Sequence, residues 1–228
     1  MPNAIITGAS RGLGLALARA LAADGWRLTL DARTAADLER AARELGRLTE
    51  VVALPGDVAD AAHRRALVAA AGKDINLLVN NASVLGPSPQ PALAEYPLDV
   101  LERVYRVNVL APLGLIQTAL PRLRLGAAIV NVTSDAAVED YPGWGGYGSS
   151  KAALDQLTAT LAAEHPGLRF YAVDPGDMRT RMHQEAFPDQ DISDRPLPEA
   201  IVPGLLELLR QPHPSGRYRV PHPAEVGA

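Results

Sequence analysis

M-P-N-A-I-I-T-G-A-S-R-G-L-G, residues 1–14, is a short apolar run followed by three closely spaced glycines. Ala4 to Ile6 suits a buried parallel strand, and Thr7 and Gly8 end it. Gly12 and Gly14 open a segment rich in alanine and leucine, Leu13 to Ala23, which has high helix propensity. Strand, glycine turn and helix form the context in which a dinucleotide fingerprint operates. The glycines let the backbone turn tightly and approach a pyrophosphate at the positive end of the helix. The spacing is Gly-x-x-x-Gly-x-Gly rather than Gly-x-Gly-x-x-Gly, and taken alone it also fits an ordinary turn before a helix.

The pattern continues outward from this start. Strands are predicted at 3–7, 27–31, 50–54, 75–79, 127–133, 168–173 and 217–220, and helices at 12–23, 34–46, 59–71, 97–123, 146–164 and 197–210. The strand cores V-V-A-L, I-N-L-L-V and A-A-I-V-N-V are continuous apolar runs, as in a parallel sheet covered on both faces. Strand–helix alternation of this kind predicts an α/β, Rossmann-type, doubly wound sheet of about seven parallel strands. Its ligand belongs at the carboxyl edge of the strands. Pro121 is expected to bend the helix over 97–123. The proline- and acid-rich stretch 177–198 reads as irregular, a lid over one domain spanning 1–228.

Tyr147 and Lys151 are four residues apart, which places both on one helix face, and Ser134 lies upstream. A phenol has a reference pKa of about 10, and a fixed ammonium nearby favours its ionised form. The pair therefore suits general acid/base work on a carbonyl or alcohol. Its bland reading is a buried ring beside a solvated charge.

T-G-A-S-R-G-L-G at 7–14, N-N-A-S at 80–83, Asn108, Ser134, Tyr147 with Lys151, and P-G-D-M-R-T at 175–180 occur in one order. Together they resemble the single-domain short-chain dehydrogenase/reductase family, over residues 3 to about 210. Ser83 departs from that pattern, which usually has glycine after N-N-A. The resemblance implies that Tyr147 exchanges the proton, that Lys151 lowers its pKa and bonds the nicotinamide ribose, and that Ser134 bonds the substrate oxygen. It implies that Asn108 holds a water linking Lys151 to solvent. The glycine turn, with Gly8, Ser10, Arg11, Gly12, Leu13 and Gly14, would hold the cofactor. Asp57 and Val58 would cap the adenine edge, although Asp57 also fits a helix cap. Asn80 would hold the fourth strand end and the ribose, with Ala82 continuing that turn. Thr180, after Pro175 and Gly176, would bond the nicotinamide carboxamide, while Pro175–Gly176 also fits a plain turn.

The end of the second strand, L-T-L-D-A-R-T at 28–34, bears on NAD against NADP. An acid there binds the ribose hydroxyls and a base accepts the 2′-phosphate. Aligned by the glycine turn, Ala32 takes the usual acidic position and Arg33 follows, with Arg11 within reach. A guanidinium–phosphate contact contributes roughly 1.5–3 kcal/mol. NADP is favoured, with NAD open because a shift of one residue would make Asp31 the ribose ligand.

Composition narrows the remaining classes. The chain of 228 residues contains no cysteine, which excludes disulfides and thiol nucleophiles. A net charge of −4 argues against nucleic-acid or acidic-membrane partners. No signal peptide or membrane-length apolar run is visible, and the default expectation is a cytoplasmic enzyme. His63, His165, His183, His213 and His222 lack ligand-like spacing; His183 is expected at the surface, or else against substrate, and Glu139 and Asp140 are expected at the surface. Tyr141, Trp144, Met182 and Phe187 are expected to wall a small or medium carbonyl or alcohol substrate, or else to pack a lid or subunit contact. A nucleotide-sugar epimerase or dehydratase is the alternative enzyme, but those are longer and carry a different glycine turn. A non-catalytic dinucleotide-binding regulator is the other alternative, and there loss of Tyr147, Lys151 or Ser134 would be expected. The resemblance implies a homodimer or homotetramer pairing the helices over 97–123 and 146–164.

Overall fold

The structure, a computed structural model, describes residues 1–220. Seven parallel strands form one sheet in the order β3-β2-β1-β4-β5-β6-β7. They are β1 (Asn3–Ile6), β2 (Arg27–Ala32), β3 (Val51–Pro55), β4 (Ile75–Asn80), β5 (Leu123–Val132), β6 (Arg169–Asp174) and β7 (Gly216–Arg219). The helices are α1 (Gly12–Ala23), α2 (Ala35–Leu45), α3 (Ala61–Ala71), α4 (Leu98–Tyr105), α5 (Ala111–Ala119), α6 (Gly145–Glu164), α7 (Arg181–Ala186) and α8 (Pro198–Arg210). The strand order reverses between β1 and β4, which opens a crevice at their carboxyl ends. This is the Rossmann-type doubly wound sheet read from the sequence.

Alternation along the strands divides the core in two. Ala4 and Ile6, Leu77 and Val79, and Tyr171 and Val173 face Leu17 and Leu21 of α1 and Ile201 and Leu205 of α8. Ile5, Leu78, Ile129 and Phe170 face the other way, onto Val68, Leu115, Ile116 and Leu161. Each fully buried leucine or isoleucine contributes about 1.5–3 kcal/mol, so covering both faces decides the continuous apolar strands. A polar tie crosses this core. Asn80 Nδ2 donates to Asn131 Oδ1 at 2.8 Å, and Asn131 Nδ2 donates to Thr158 Oγ1 at 2.8 Å, locking β4, β5 and α6.

The helix expected over 97–123 is interrupted. Residues Arg106–Leu110 form a π turn between α4 and α5. Pro121 falls in a 3-10 turn, Leu120–Arg122, that ends the helix, and β5 starts at Leu123 rather than at 127. The segment 177–198 contains α7, a helix absent from the sequence reading because it is only a turn and a half long.

Candidate active site

The crevice is a cleft of about 930 Å³, within the range of cofactor and substrate sites. At one end lies the glycine turn. Gly8 and Gly12 have φ of +65° and +58°, a region that side chains resist. A Cβ on Gly14 would lie 2.5 Å from the Gly8 carbonyl oxygen, so Gly14 serves packing beneath the turn. The turn is tied to β4 by Asn81, whose Nδ2 donates to the carbonyls of Thr7 (2.9 Å) and Gly8 (3.1 Å). Thr7 Oγ1 returns the tie by accepting from the N–H groups of Asn81 and Ala82, both at 3.0 Å. Thr7 and Asn81 stand in separate sequence motifs; their pairing across the switch point is a tertiary fact. Arg11 precedes α1 without a side-chain cap on the helix. The free N–H groups of that first turn suit an anionic pyrophosphate, and the uncluttered backbone at Gly12 leaves room for it. The residues present therefore fit a dinucleotide.

Farther along the adenosine side, Ser10, Arg11, Leu13, Arg33, Asp57 and Val58 line the cleft. Arg11 and Arg33 are exposed on its rim. Asp31 also lines the cleft, but its carboxyl is engaged: its Oδ1 lies 2.8 Å from His63 Nε2, and burial raises it to about 6 against the His63 contact. Asp57 does not cap α3, because Asp60 does so by accepting from the Ala62 N–H at 2.8 Å. Asp57 instead accepts from the Ala59 N–H (2.9 Å) and from Arg103. Burial pushes its carboxyl up, but these two donors outweigh burial and hold it below the usual range.

Asn80 is not brought to the cleft; its amide is spent on Asn131 within the core. Ala82, Pro175, Gly176 and Thr180 do line it. Thr180 Oγ1 accepts from the His183 N–H at 3.2 Å, capping α7, which leaves its hydroxyl proton for another partner.

At the other end Ser134, Tyr147 and Lys151 share the cleft wall. Lys151 Nζ donates to the Val132 carbonyl at 2.7 Å and sits 5.4 Å from the centre of the Tyr147 ring. Burial lowers the Lys151 ammonium to about 8, with Asp155 opposing. Burial also pushes the Tyr147 phenol up, well above its ordinary value; the Ser83 and Ser134 hydroxyls oppose this, and Asp135 and Asp174 add to it. Ser134 Oγ donates to Asp135 Oδ1 (2.9 Å) and accepts from the Ala136 N–H (3.2 Å).

The Asn108 side chain lies in the scaffold. It is 1% exposed, within the π turn. Its Oδ1 accepts from the Val84 N–H (2.9 Å) and Ser83 Oγ (3.1 Å), and its Nδ2 donates to the Val84 carbonyl (2.9 Å) and Ser150 Oγ (3.0 Å). The side-chain amide has no capacity left for a water, which leaves the backbone carbonyl as the group of Asn108 that could hold one.

The substrate end also departs from the sequence reading. Trp144 and Met182 line the cleft, as do Leu85, Gly86, Ser88 and His183. Tyr141 is exposed and donates to Asp135 Oδ2 at 3.2 Å, and Phe187 backs Trp144 and His183, with ring centres 5.7 and 5.0 Å away. The His183 side chain is 11% exposed, not a surface group. Glu139 and Asp140 are exposed. Among the described residues there is no cluster of metal-ligating side chains, and His222 lies outside them.

This arrangement has close counterparts. Residues 2–191 match the family described as short chain dehydrogenase. The chain belongs to the short-chain dehydrogenase family. It is 35% identical over 203 residues to a 2-(R)-hydroxypropyl-CoM dehydrogenase of Xanthobacter autotrophicus, covering 85% of this chain and 81% of that one. It is 32% identical over 220 residues to a benzil reductase of Saccharomyces cerevisiae, covering 91% and 81%. An alcohol dehydrogenase from Thermococcus sibiricus, solved with 5-hydroxy-NADP, superimposes with a TM-score of 0.85 at 31% identity, covering 96% of this chain and 95% of that one. This short-chain dehydrogenase is an oxidoreductase of a family that binds NAD(P). No helix among its described residues is long and apolar enough to cross a membrane.

Proposed function

We propose that the enzyme reduces a ketone or aldehyde, or oxidises the corresponding alcohol, with Tyr147 as general acid/base and NADP as the favoured cofactor. The observation that carries this reading is that Tyr147, Lys151 and Ser134 line the same cleft as the glycine turn. A dinucleotide bound there supplies or accepts the hydride. In reduction, Tyr147 gives its proton to the carbonyl oxygen, and in oxidation it takes the hydroxyl proton. Ser134 turns its hydroxyl from Asp135 to the substrate oxygen and stabilises charge developing there; Asp135 keeps the Ala136 N–H. Lys151, anchored on Val132, favours the ionised phenol and bonds the ribose. Asn108 braces the wall between the β4 loop and α6.

The exposed guanidinium groups of Arg11 and Arg33 support NADP, as does the turning of Asp31 onto His63. Gly8, Ser10, Gly12, Leu13, Val58, Ala82, Pro175, Gly176 and Thr180 would complete the cofactor's bed. Trp144, Leu85 and Met182 favour an apolar carbonyl compound of small or medium size. The segment 177–198 closes over it as a lid on a single domain spanning 1–228. Exposed Ala152, Ala159 and Ala163 on α6 favour close pairing of subunits in a dimer or tetramer, and a cytoplasmic setting fits this chemistry. Consumption of NADPH with a panel of carbonyl compounds tests the function. An epimerase would show no net consumption, and a regulator would bind without turnover.

A further inference from the structure

Arg217 on β7 lies outside the cleft, yet its side chain ends against the main chain of Ser134. Its Nη2 donates to the Ser134 carbonyl at 3.0 Å and to Asp174 Oδ2 at 3.3 Å, and its Nε donates to Asp155 Oδ2 at 3.1 Å. The three acceptors come from three places: the chain just past β5, the end of β6, and α6. Each stands beside a group that the site uses. Asp155 is four residues beyond Lys151, on the same helix face. Asp174 lines the cleft, and its Oδ1 accepts from the Gly176 N–H at 3.0 Å. Ser134 follows the point where β5 stops pairing with β6, Val132 opposite Val173, and the chain then enters the short turn Asp135–Ala137.

The two acids explain why the guanidinium stays there. The Asp174 side chain is 3% exposed, and a carboxylate so buried is costly without a partner. Asp155 engages the Nε edge of the same group. A side chain already fixed by two acids makes its third contact at little further ordering cost. The Ser134 carbonyl accepts from the Ala137 N–H at 3.1 Å within its own turn, a bond that moves with the turn. The bond from Arg217 instead ties that carbonyl to β6, β7 and α6. We propose that Arg217 is a positioning residue for Ser134: its guanidinium, held by Asp155 and Asp174, fixes the Ser134 carbonyl so that the hydroxyl meets the substrate oxygen. The partners on which that hydroxyl rests, Asp135 Oδ1 and the Ala136 N–H, belong to the same turn, so its direction follows the backbone that Arg217 holds. A misplacement of about 1 Å in such a group costs up to about a hundredfold in rate.

The inference rests on the assignment of Ser134 to the substrate oxygen. The test is a double-mutant cycle between Arg217 and Ser134, run on the full chain with NADPH and the fastest carbonyl compound of the panel. Arg217→Met is expected to lower kcat about ten- to a hundredfold in the parent, but less than about threefold in the Ser134→Ala background. KM for NADPH should stay close to the parent's in both. Arg217→Lys keeps the charge beside the two acids and loses the planar fork. It should melt close to the parent and show the same pattern at smaller amplitude, so it carries the cycle if Arg217→Met does not fold. Equal losses in both backgrounds, or no loss in either variant, overturn the role of Arg217. A raised KM for NADPH at unchanged kcat overturns it as well, because it places the residue with the Pro175–Gly176 turn instead. A fully active Ser134→Ala enzyme overturns the Ser134 assignment itself, and with it this one; an impaired Ser134→Ala beside a fully active Arg217→Met removes only Arg217.

Discussion

His63 Nε2 lies 2.8 Å from Asp31 Oδ1, and the two side chains are 10% and 2% exposed. This pair engages the one carboxylate at the end of β2, which lines the cleft but is buried, and leaves Arg33 as the exposed charged group there. Removing the imidazole should leave a buried carboxyl without its partner. We expect His63→Leu to lose about 1–3 kcal/mol in urea unfolding, and no loss would show that Asp31 finds another donor.

Burial raises the folded Asp31 carboxyl from 3.8 to about 6. The folded state therefore holds the Asp31 proton over a window in which the unfolded chain has released it. Stability from this group is present below pH 3.8 and is lost as pH rises through about 6. Asp31→Asn should remove that slope. Unfolding midpoints that run parallel for both proteins between those pH values would contradict the sign.

Tyr147→Phe should reduce turnover at least a hundredfold through loss of acid/base catalysis. NADP binding by calorimetry should change little, because the ring and its packing remain.

Lys151 is 2% exposed, and burial lowers its ammonium to about 8. At pH 7 it stays charged at a cost to the fold, a cost relieved as pH rises from about 8 toward its unfolded value of 10.5. Lys151→Met is expected to be inactive yet to melt at a higher temperature at pH 7. A lower melting temperature would show that the bond to Val132 outweighs the burial cost.

The double change Arg11→Ala with Arg33→Ala should raise KM for NADP tenfold or more, through loss of charge-assisted contacts of roughly 1.5–3 kcal/mol each. KM for NAD should stay close to the parent's. Equal effects on both cofactors would sever these arginines from the 2′-phosphate.

The sheet, the glycine turn and the Tyr147–Lys151 pair were legible in the linear order because each is local. Apolar runs report burial on both faces of a strand, the spacing of glycines reports a turn, and four residues make one helix face. The π turn at 106–110 and the short α7 escaped, since neither leaves a periodic signature in residue order. The carboxylates show the boundary most clearly. Asp31, Asp57 and Asp60 look alike in sequence, yet one meets His63, one meets Arg103 and one caps α3. Asn80 and Asn108 likewise pass from the cleft into the scaffold once Asn131 and Val84 are beside them. For Asp31, Asn80 and Asn108 the partners come from residues distant along the chain, and burial of both is what makes their pairing obligatory. Which residue types are present was decided by the sequence alone; which of them remain free to meet a ligand was decided only by the fold.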